Sequence, residues 1–375
     1  MPRWTEEQQE AIDKEGCNII VSAGAGSGKT AVLTERVIRK LKSRININEI
    51  LVLTFTNAAA FEMKERIRAA IKEEESLKSQ LELIDGGYVT TFDSFSLSIV
   101  KKYHYLLNIS KDVSIIDNSI IYNEKTKILD EIMDKYYESN NEDFLKLIGD
   151  FCVKDDEDIK KYILNINNKM ELLMDKNSFL NNYMNEYYSD NFIDEKISEY
   201  MDLINLKKEL VIDLGHELLT VAEDKFYDKI LTLVNKLENA SNYLELKEVS
   251  EESVPSTPAK SEEEVKICRN NFNEAFKDFC KYLEFDSIEE IKEDILMTKP
   301  YSRIIIDIIK ELDKRLMDFK YENNSFEFND IAHMAINIVK DNDDVRNSLK
   351  YFFKEIMIDE YQDTSYLQEA FISLI

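Results

Sequence analysis

Cysteine, proline, glycine and histidine are all scarce in this 375-residue chain, at four, four, eight and three. The cysteines (Cys17, Cys152, Cys268, Cys280) are scattered and form no CxxC, and His104, His216 and His333 stand far apart. That pattern argues against a zinc site or a disulfide framework and fits a reduced, cytoplasmic setting. Prolines occur only at Pro2, Pro255, Pro258 and Pro300, and six of the eight glycines precede residue 88. The long middle therefore has few breakers and reads as extended helices. No apolar run approaches the ~20 residues that a membrane span needs. The opening MPRWTEEQQEAI is too polar and acidic for a secretion signal. Basic residues are also in deficit, 48 against 74 acidic, for a net charge of −26. Such an excess argues against a general nucleic-acid coat. The deficit is uneven, however: residues 1–105 carry 15 of each sign, and the whole excess lies beyond them. A local groove can still hold DNA, because phosphate contacts act within about 10 Å.

Length suggests two or three domains, and a 44% hydrophobic share supplies real cores. The first ~117 residues alternate short apolar runs with helical periods. NIIVSAG (18–24), EILVLTFT (49–56), YVTTFDSF (88–95) and VSIIDN (113–118) are expected to supply strands. A helix is expected from Lys29, and AAAFEMKERIRAAIKEE (58–74) is made of strong helix formers. Continuous apolar strands between helices predict an α/β fold, with a parallel sheet covered on both faces. Residues 119–325 are acidic and helical by period, and EIMIDE (355–360) brings the strand pattern back. The expected architecture is thus an α/β domain interrupted by a large helical insertion. SVPSTPAKSEEE (253–264) reads as a linker, with Ser261 and Glu264 as a capping box for the next helix.

Two motifs carry chemistry. In VSAGAGSGKT (21–30) glycines lie between an expected strand and an expected helix. That context lets backbone N–H groups converge on phosphate oxygens at a helix N-terminus. Lys29 would reach the β- and γ-phosphates, and the Thr30 hydroxyl would ligate Mg²⁺. Ala23 stands where the strict GxxxxGK[ST] pattern has glycine. A phosphate loop needs a carboxylate for Mg²⁺, and IMIDEYQDT (356–364) offers one at a strand's end. Asp359 would hold Mg²⁺ through water, and Glu360 would orient the attacking water.

With these blocks in order, the chain resembles the superfamily 1 DNA helicases of the UvrD/PcrA/Rep type. The resemblance implies a RecA-like P-loop NTPase domain 1A at 1–118 and 326–375, interrupted by an all-helical domain 1B at 119–325. Domain 2A, with its arginine fingers, and any nuclease domain would lie outside these residues, so little ATP turnover is expected of the chain alone. AGAGSGKT matches the family's own Walker A variant, so that Ala23, Gly24, Ala25, Gly26, Ser27, Gly28, Lys29 and Thr30 would line the nucleotide. WTEEQQEAI (4–12) looks like the Q motif, which would make Gln8 the adenine reader; Thr5 and Gln8 also fit a helix capping box. TFTNAAAFEMKERI (54–67) looks like motif Ia: Thr56 and Asn57 would touch DNA backbone, and Phe55 would stack on a base or else pack in the core. Relatives carry lysine where Ala58 stands. VTTFDSF (89–95) resembles the next DNA-contacting block with Asp93 in place of histidine, which points to Thr91 as the DNA contact. FEFNDI (326–331) resembles the block before motif II, with Phe326 and Phe328 expected in the core. In DEYQDT, Gln362 and Asp363 would couple the nucleotide site to DNA.

Some 260 residues separate TFDSF from DEYQDT. That length resembles the helicase–nuclease proteins AddA and RecB and exceeds what UvrD or PcrA need, and KKYHYLLNIS (101–110) followed by VSIID is similar to AddA in particular. The resemblance thus implies an ATP- and Mg²⁺-dependent helicase acting on single-stranded and duplex DNA in break repair. It also implies no membrane partner, but a second, AddB-like subunit. A repair helicase without nuclease, or an inactive scaffold that docks a partner, stays open as an alternative.

Overall fold

The computed structural model describes residues 4–24, 26–259 and 261–375. The described residues are mostly helical, with two small parallel sheets. Along the chain come α1 (Glu6–Asp13), α2 (Lys29–Lys42), β1 (Ile50–Thr54), α3 (Asn57–Glu73), β2 (Tyr88–Thr91), α4 (Phe92–Lys102), β3 (Ser114–Ile115) and α5 (Asn118–Glu138). A run of helices follows: α6 (Glu142–Phe151), α7 (Glu157–Met170), α8 (Lys176–Tyr187), α9 (Asp190–Val221), α10 (Asp224–Asn239), α11 (Tyr243–Ser250), α12 (Glu263–Cys280), α13 (Ile288–Met297) and α14 (Lys299–Glu322). The chain closes with β4 (Ser325–Phe326), α15 (Phe328–Asp341), α16 (Asp343–Phe352), β5 (Glu355–Ile358) and α17 (Tyr366–Ile372).

Contacts divide the chain into two compact units. The first holds residues 1–135, 155–176 and 309–375, and the second 136–154 and 177–308. The division leaves most of α5, all of α7 and the second half of α14 with the sheets, so the purely helical unit is smaller than 119–325.

In the first unit β1 is the centre of a three-stranded sheet ordered β2-β1-β5, parallel throughout. All five residues of β1 are buried, because the sheet is covered on both faces. Ile50 and Val52 join Val89 and Met357 under Val37, Ile38, Met63 and Ile67 of α2 and α3. Leu51 and Leu53 face the other way, onto Phe92, Phe95, Ala335 and Phe371 of α4, α15 and α17. The period-two alternation thus serves two cores at once. β3 and β4 form a separate two-stranded pair; 113–118 adds no strand to the main sheet.

In the second unit α9 runs for 32 residues. Its buried Ile197, Ile204, Val211 and Leu218 recur every seventh residue, a seam that packs against α10 and α12. Gly215 sits on that seam: a Cβ there would lie 2.5 Å from Val234 Cγ2 and 3.1 Å from Phe272 Cε2. The glycine lets α9 approach its neighbours closely.

Three local expectations change. Residues 18–24 form no strand, and Ile20 is 84% exposed. β propensity is realised only through cross-strand neighbours, and among the described residues no segment pairs with this run. Phe326 is buried as expected, but Phe328 is half exposed. It is the first residue of α15, and the core of that helix is formed from Asp330 onward by Ile331, Met334, Ala335 and Ile338. Ser261 does not cap α12, whose N-cap is Glu262; its hydroxyl donates to the Pro258 carbonyl at 2.9 Å instead.

Candidate nucleotide and DNA site

The glycine-spaced loop ends in α2. Gly28 is its N-cap at φ +86°, and Gly26 stands at φ +78°. Side chains resist that left-handed region, so the two glycines let the loop curl and aim the first N–H groups of a 14-residue helix outward. Ser27 N–H closes a turn on Gly24 O at 3.3 Å. Ala25, assigned to the same loop, lies outside the described residues.

Gln8 touches this loop. Its Nε2 donates to Ser27 O at 3.0 Å, and its Oε1 accepts from Thr5 N–H at 3.0 Å. Thr5 Oγ1 in turn accepts from Gln8 N–H at 3.2 Å, which completes the capping box of α1. Capping and loop contact coexist here, because a carboxamide has two donor hydrogens and two acceptor lone pairs. One donor and one acceptor remain.

Across from Lys29 stands the end of β5. Asp359 N–H donates to Leu53 O at 2.9 Å, which extends the β1–β5 ladder by one residue and fixes the carboxylate's position. Glu360 then turns at φ +55°, a left-handed conformation few non-glycine residues adopt. The turn brings its carboxylate 3.6 Å from the Lys29 ammonium. Gln362 Nε2 also donates to Glu360. That bond, then Lys29, holds the Glu360 carboxyl below its ordinary pKa. Burial, then the charge of Glu360, pushes the Asp359 carboxyl up. Among the described residues no group of three or more His, Cys, Asp and Glu side chains could hold a metal alone. A divalent ion at Thr30 and Asp359 would therefore draw most of its ligands from phosphate oxygens and water, as Mg²⁺ characteristically does.

A cleft of about 130 Å³ opens at the C-terminal ends of the three parallel strands, lined by Thr54, Phe55, Thr91, Asp93, Asp359 and Glu360 among others. In parallel sheets ligands gather at that end. Phe55 is 62% exposed, so it is not a core aromatic. Thr56 caps α3 by accepting from Ala59 N–H at 3.1 Å, and Asn57 opens that helix. Thr91 differs from the other three: it is buried and caps α4, accepting from Ser94 N–H at 3.2 Å, with its hydroxyl 2.9 Å from Ser94 Oγ and 3.4 Å from Asn57 Oδ1. Burial pushes the Asp93 carboxyl up.

Sequence reasoning missed a second charged set behind the loop. Arg36 of α2 reaches Glu355 at the start of β5, with Nη2 2.6 Å from Oε1, and Lys40 meets the other Glu355 oxygen at 3.1 Å. An arginine two turns into a surface helix carries no signal of this kind, since its partner lies 319 residues away.

The family model described as the UvrD/REP helicase N-terminal domain matches residues 4–375. The chain is 32% identical over 409 residues to the A subunit of the ATP-dependent helicase/nuclease of Clostridium novyi (strain NT), an alignment covering 100% of this chain and 33% of that protein. Its namesake in Clostridium acetobutylicum is 30% identical over 424 residues, covering 99% and 34%. The one from Clostridium botulinum (strain Hall) is 28% identical over 412 residues, covering 100% and 32%. The chain spans about a third of the length of the curated relatives it matches. No helix among the described residues is long and apolar enough to cross a membrane.

Proposed function

This chain belongs to the UvrD/REP helicase family, and we propose that it is the ATP-binding part of an ATP-driven DNA translocase, a helicase–nuclease component of break repair that works beside a second subunit. In this reading the β2-β1-β5 sheet and its helices are a RecA-like core, and the helical unit is an insertion in it. The observation that carries the proposal is the meeting of Lys29 and Glu360 at 3.6 Å, at the strand ends where Phe55 stands exposed.

The residues divide the work. Gly24, Gly26, Ser27, Gly28 and the start of α2 cradle the phosphates with backbone N–H groups. Lys29 exchanges Glu360 for the β- and γ-phosphates. The freed Glu360 carboxylate, still held by Gln362, accepts a hydrogen bond from the attacking water and orients it. Thr30 and Asp359 would hold Mg²⁺, which neutralises charge on the phosphate oxygens. The remaining amide donor and acceptor of Gln8 suit the edge of adenine. Phe55 offers a face for a base of single-stranded DNA, with Thr56 and Asn57 beside it. Thr91 acts by capping α4 and bracing Asn57. The shared cleft supplies the link, because DNA at Phe55 and phosphate at Lys29 both press on the segment 359–364.

The test is the anisotropy of a labelled oligo(dT), with and without a slowly hydrolysed ATP analogue. Nucleotide should shift DNA affinity several-fold, and Lys29→Ala should remove that shift while DNA still binds. Phe55→Ala should weaken DNA binding by about 1–3 kcal/mol. Failure to bind oligo(dT), or a nucleotide effect that persists in Lys29→Ala, overturns the reading.

A further inference from the structure

Arg36 joins three elements at one guanidinium. Its Nη1 donates to the carbonyls of Ala11 at 2.8 Å, Ile12 at 3.3 Å and Lys14 at 2.9 Å. These belong to the C-terminal turn of α1 and the residue after it, where carbonyls have no partner within the helix. Its Nε donates to Glu355 Oε1 at 2.8 Å, at the first residue of β5. The Arg36 and Glu355 side chains are only 11% and 16% exposed. Lys40 pairs with the other Glu355 oxygen and bridges to Glu15 at 2.9 Å, just past α1. One side chain of the phosphate-loop helix thus fastens α1 on one side and the strand leading to Asp359 on the other.

The need for such a fastening lies in α1 itself. The helix has eight residues and buries only Ile12, so apolar contact contributes little to holding it. Its other end carries Gln8, which lies on Ser27 of the phosphate loop. The two ends of α1 are therefore set by polar contacts: Gln8 on the loop at one end, and at the other Arg36 beneath the last carbonyls, with Arg39 Nη1 3.6 Å from Asp13 Oδ1 and Lys40 on Glu15 at the rim. Charge-assisted bonds from a planar fork fix direction as well as distance.

We propose that Arg36 is a positioning residue for nucleobase selection: it locks α1 onto α2 and β5, and so holds the free donor and acceptor of Gln8 in register with the phosphate loop. The inference rests on the nucleotide-binding reading above and adds to it a residue that touches neither phosphate nor base.

The test uses the 375-residue chain and displacement of a ribose-labelled fluorescent ATP by ATP, by ITP and by inorganic tripolyphosphate. ITP keeps the phosphates and changes the hydrogen-bonding edge of the base. Wild type should prefer ATP to ITP by about five- to thirtyfold, the worth of one or two net hydrogen bonds of about 1 kcal/mol each. Arg36→Lys keeps the charge that pairs with Glu355, but one ammonium cannot also serve three carbonyls. It should bring the ATP:ITP ratio to near one, as Gln8→Ala does, while tripolyphosphate binds as in wild type. A merely structural role would weaken all three competitors together. An unchanged ratio in Arg36→Lys, or an equal loss for all three, overturns the proposal. Should Arg36→Lys fail to fold, Arg36→Gln, which can keep one carbonyl contact but not the fork, carries the same test in the same direction. Glu355→Gln, which weakens the Arg36 and Lys40 pairings at β5 and leaves the α1 carbonyls bonded, should lower the ratio only partway. Lys29→Ala separates the two levels of the argument. If it leaves tripolyphosphate binding intact, the phosphate-site reading fails; if it weakens that binding while Arg36→Lys leaves the ratio untouched, only the positioning role fails.

Discussion

Replacing Lys320 by methionine isolates the electrostatics that anchor α15, the helix running back toward the β5 strand. Lys320 is 3% exposed and lies 2.7 Å from Glu327 Oε2 and 2.6 Å from Asp330 Oδ2. Glu327 has a second partner in Lys125, at 3.1 Å. Among the described residues Asp330 has only the Glu327 N–H besides, at 2.8 Å. Burial lowers the Lys320 pKa, and the two carboxylates more than restore it, so it stands above its ordinary value. Burial holds the Asp330 carboxyl up against the pull of Lys320. In Lys320→Met, Asp330 is left buried without a cation. It can stay charged, at a cost of about 3–5 kcal/mol for a broken buried pair. Or it can take a proton, which at pH 7 costs about 4 kcal/mol for a carboxyl of ordinary pKa near 3.9. Both routes give a loss of about 3–4 kcal/mol at neutral pH. The sign of the pH dependence follows: the variant's native state binds a proton that its unfolded state does not, so the loss shrinks on acidification by about 1.4 kcal/mol per pH unit. At pH 5 protonating a carboxyl of ordinary pKa near 3.9 costs only about 1.5 kcal/mol, so no more than about that much should remain. Adding Asp330→Asn should recover most of the loss at pH 7. Urea unfolding by far-ultraviolet circular dichroism, with hydrogen exchange of the α15 amides to report on this unit, measures it. A loss under about 1 kcal/mol at pH 7, or an equal loss at pH 7 and pH 5, would refute the reasoning.

Two further outcomes are expected. Gly215→Ala should gain about 1 kcal/mol in helix propensity and lose about 1–3 kcal/mol to overpacking against Val234 and Phe272. The net is a lower unfolding midpoint, which should reverse in a Val234→Ala background; a stabilised single variant contradicts the packing account. Asp359→Asn should remove most of the Mg²⁺ dependence of ATP affinity and leave Mg²⁺-free affinity nearly as it was, read by titrating ATP with and without the cation.

β1, buried on both faces, was legible because one continuous apolar run, ILVLT, serves two cores and meets partners on both edges. NIIV (18–21) is likewise apolar and β-branched but has, among the described residues, no pairing segment, so it stays coil; composition reports propensity, while a strand also needs its neighbours. The long helices followed from missing breakers, and Gly215 could be noticed in the sequence but not explained until α10 and α12 were in place. At the site, Lys29, Asp359 and Glu360 came from spacing and converge in space. Phe55 was open between stacking and packing, and exposure decides against packing. Thr91, expected at DNA, is buried and accepts from Ser94 N–H as the cap of α4. Arg36 and Glu355 were invisible, because a contact spanning 319 residues leaves no local pattern. Lys320 was missed for a different reason: its partners Glu327 and Asp330 lie close by in sequence, but across the break between α14 and α15, where helical periodicity gives no guide.

The claim on which everything else depends is that Lys29 holds nucleotide phosphate. Calorimetric titration of Mg·ATP into this chain and into Lys29→Ala tests it most directly. The account predicts one site per chain in wild type, with affinity lowered at least tenfold in the variant by loss of a charge-assisted contact worth about 1.5–3 kcal/mol. Equal affinity in the two proteins would contradict it and remove the phosphate-loop assignment.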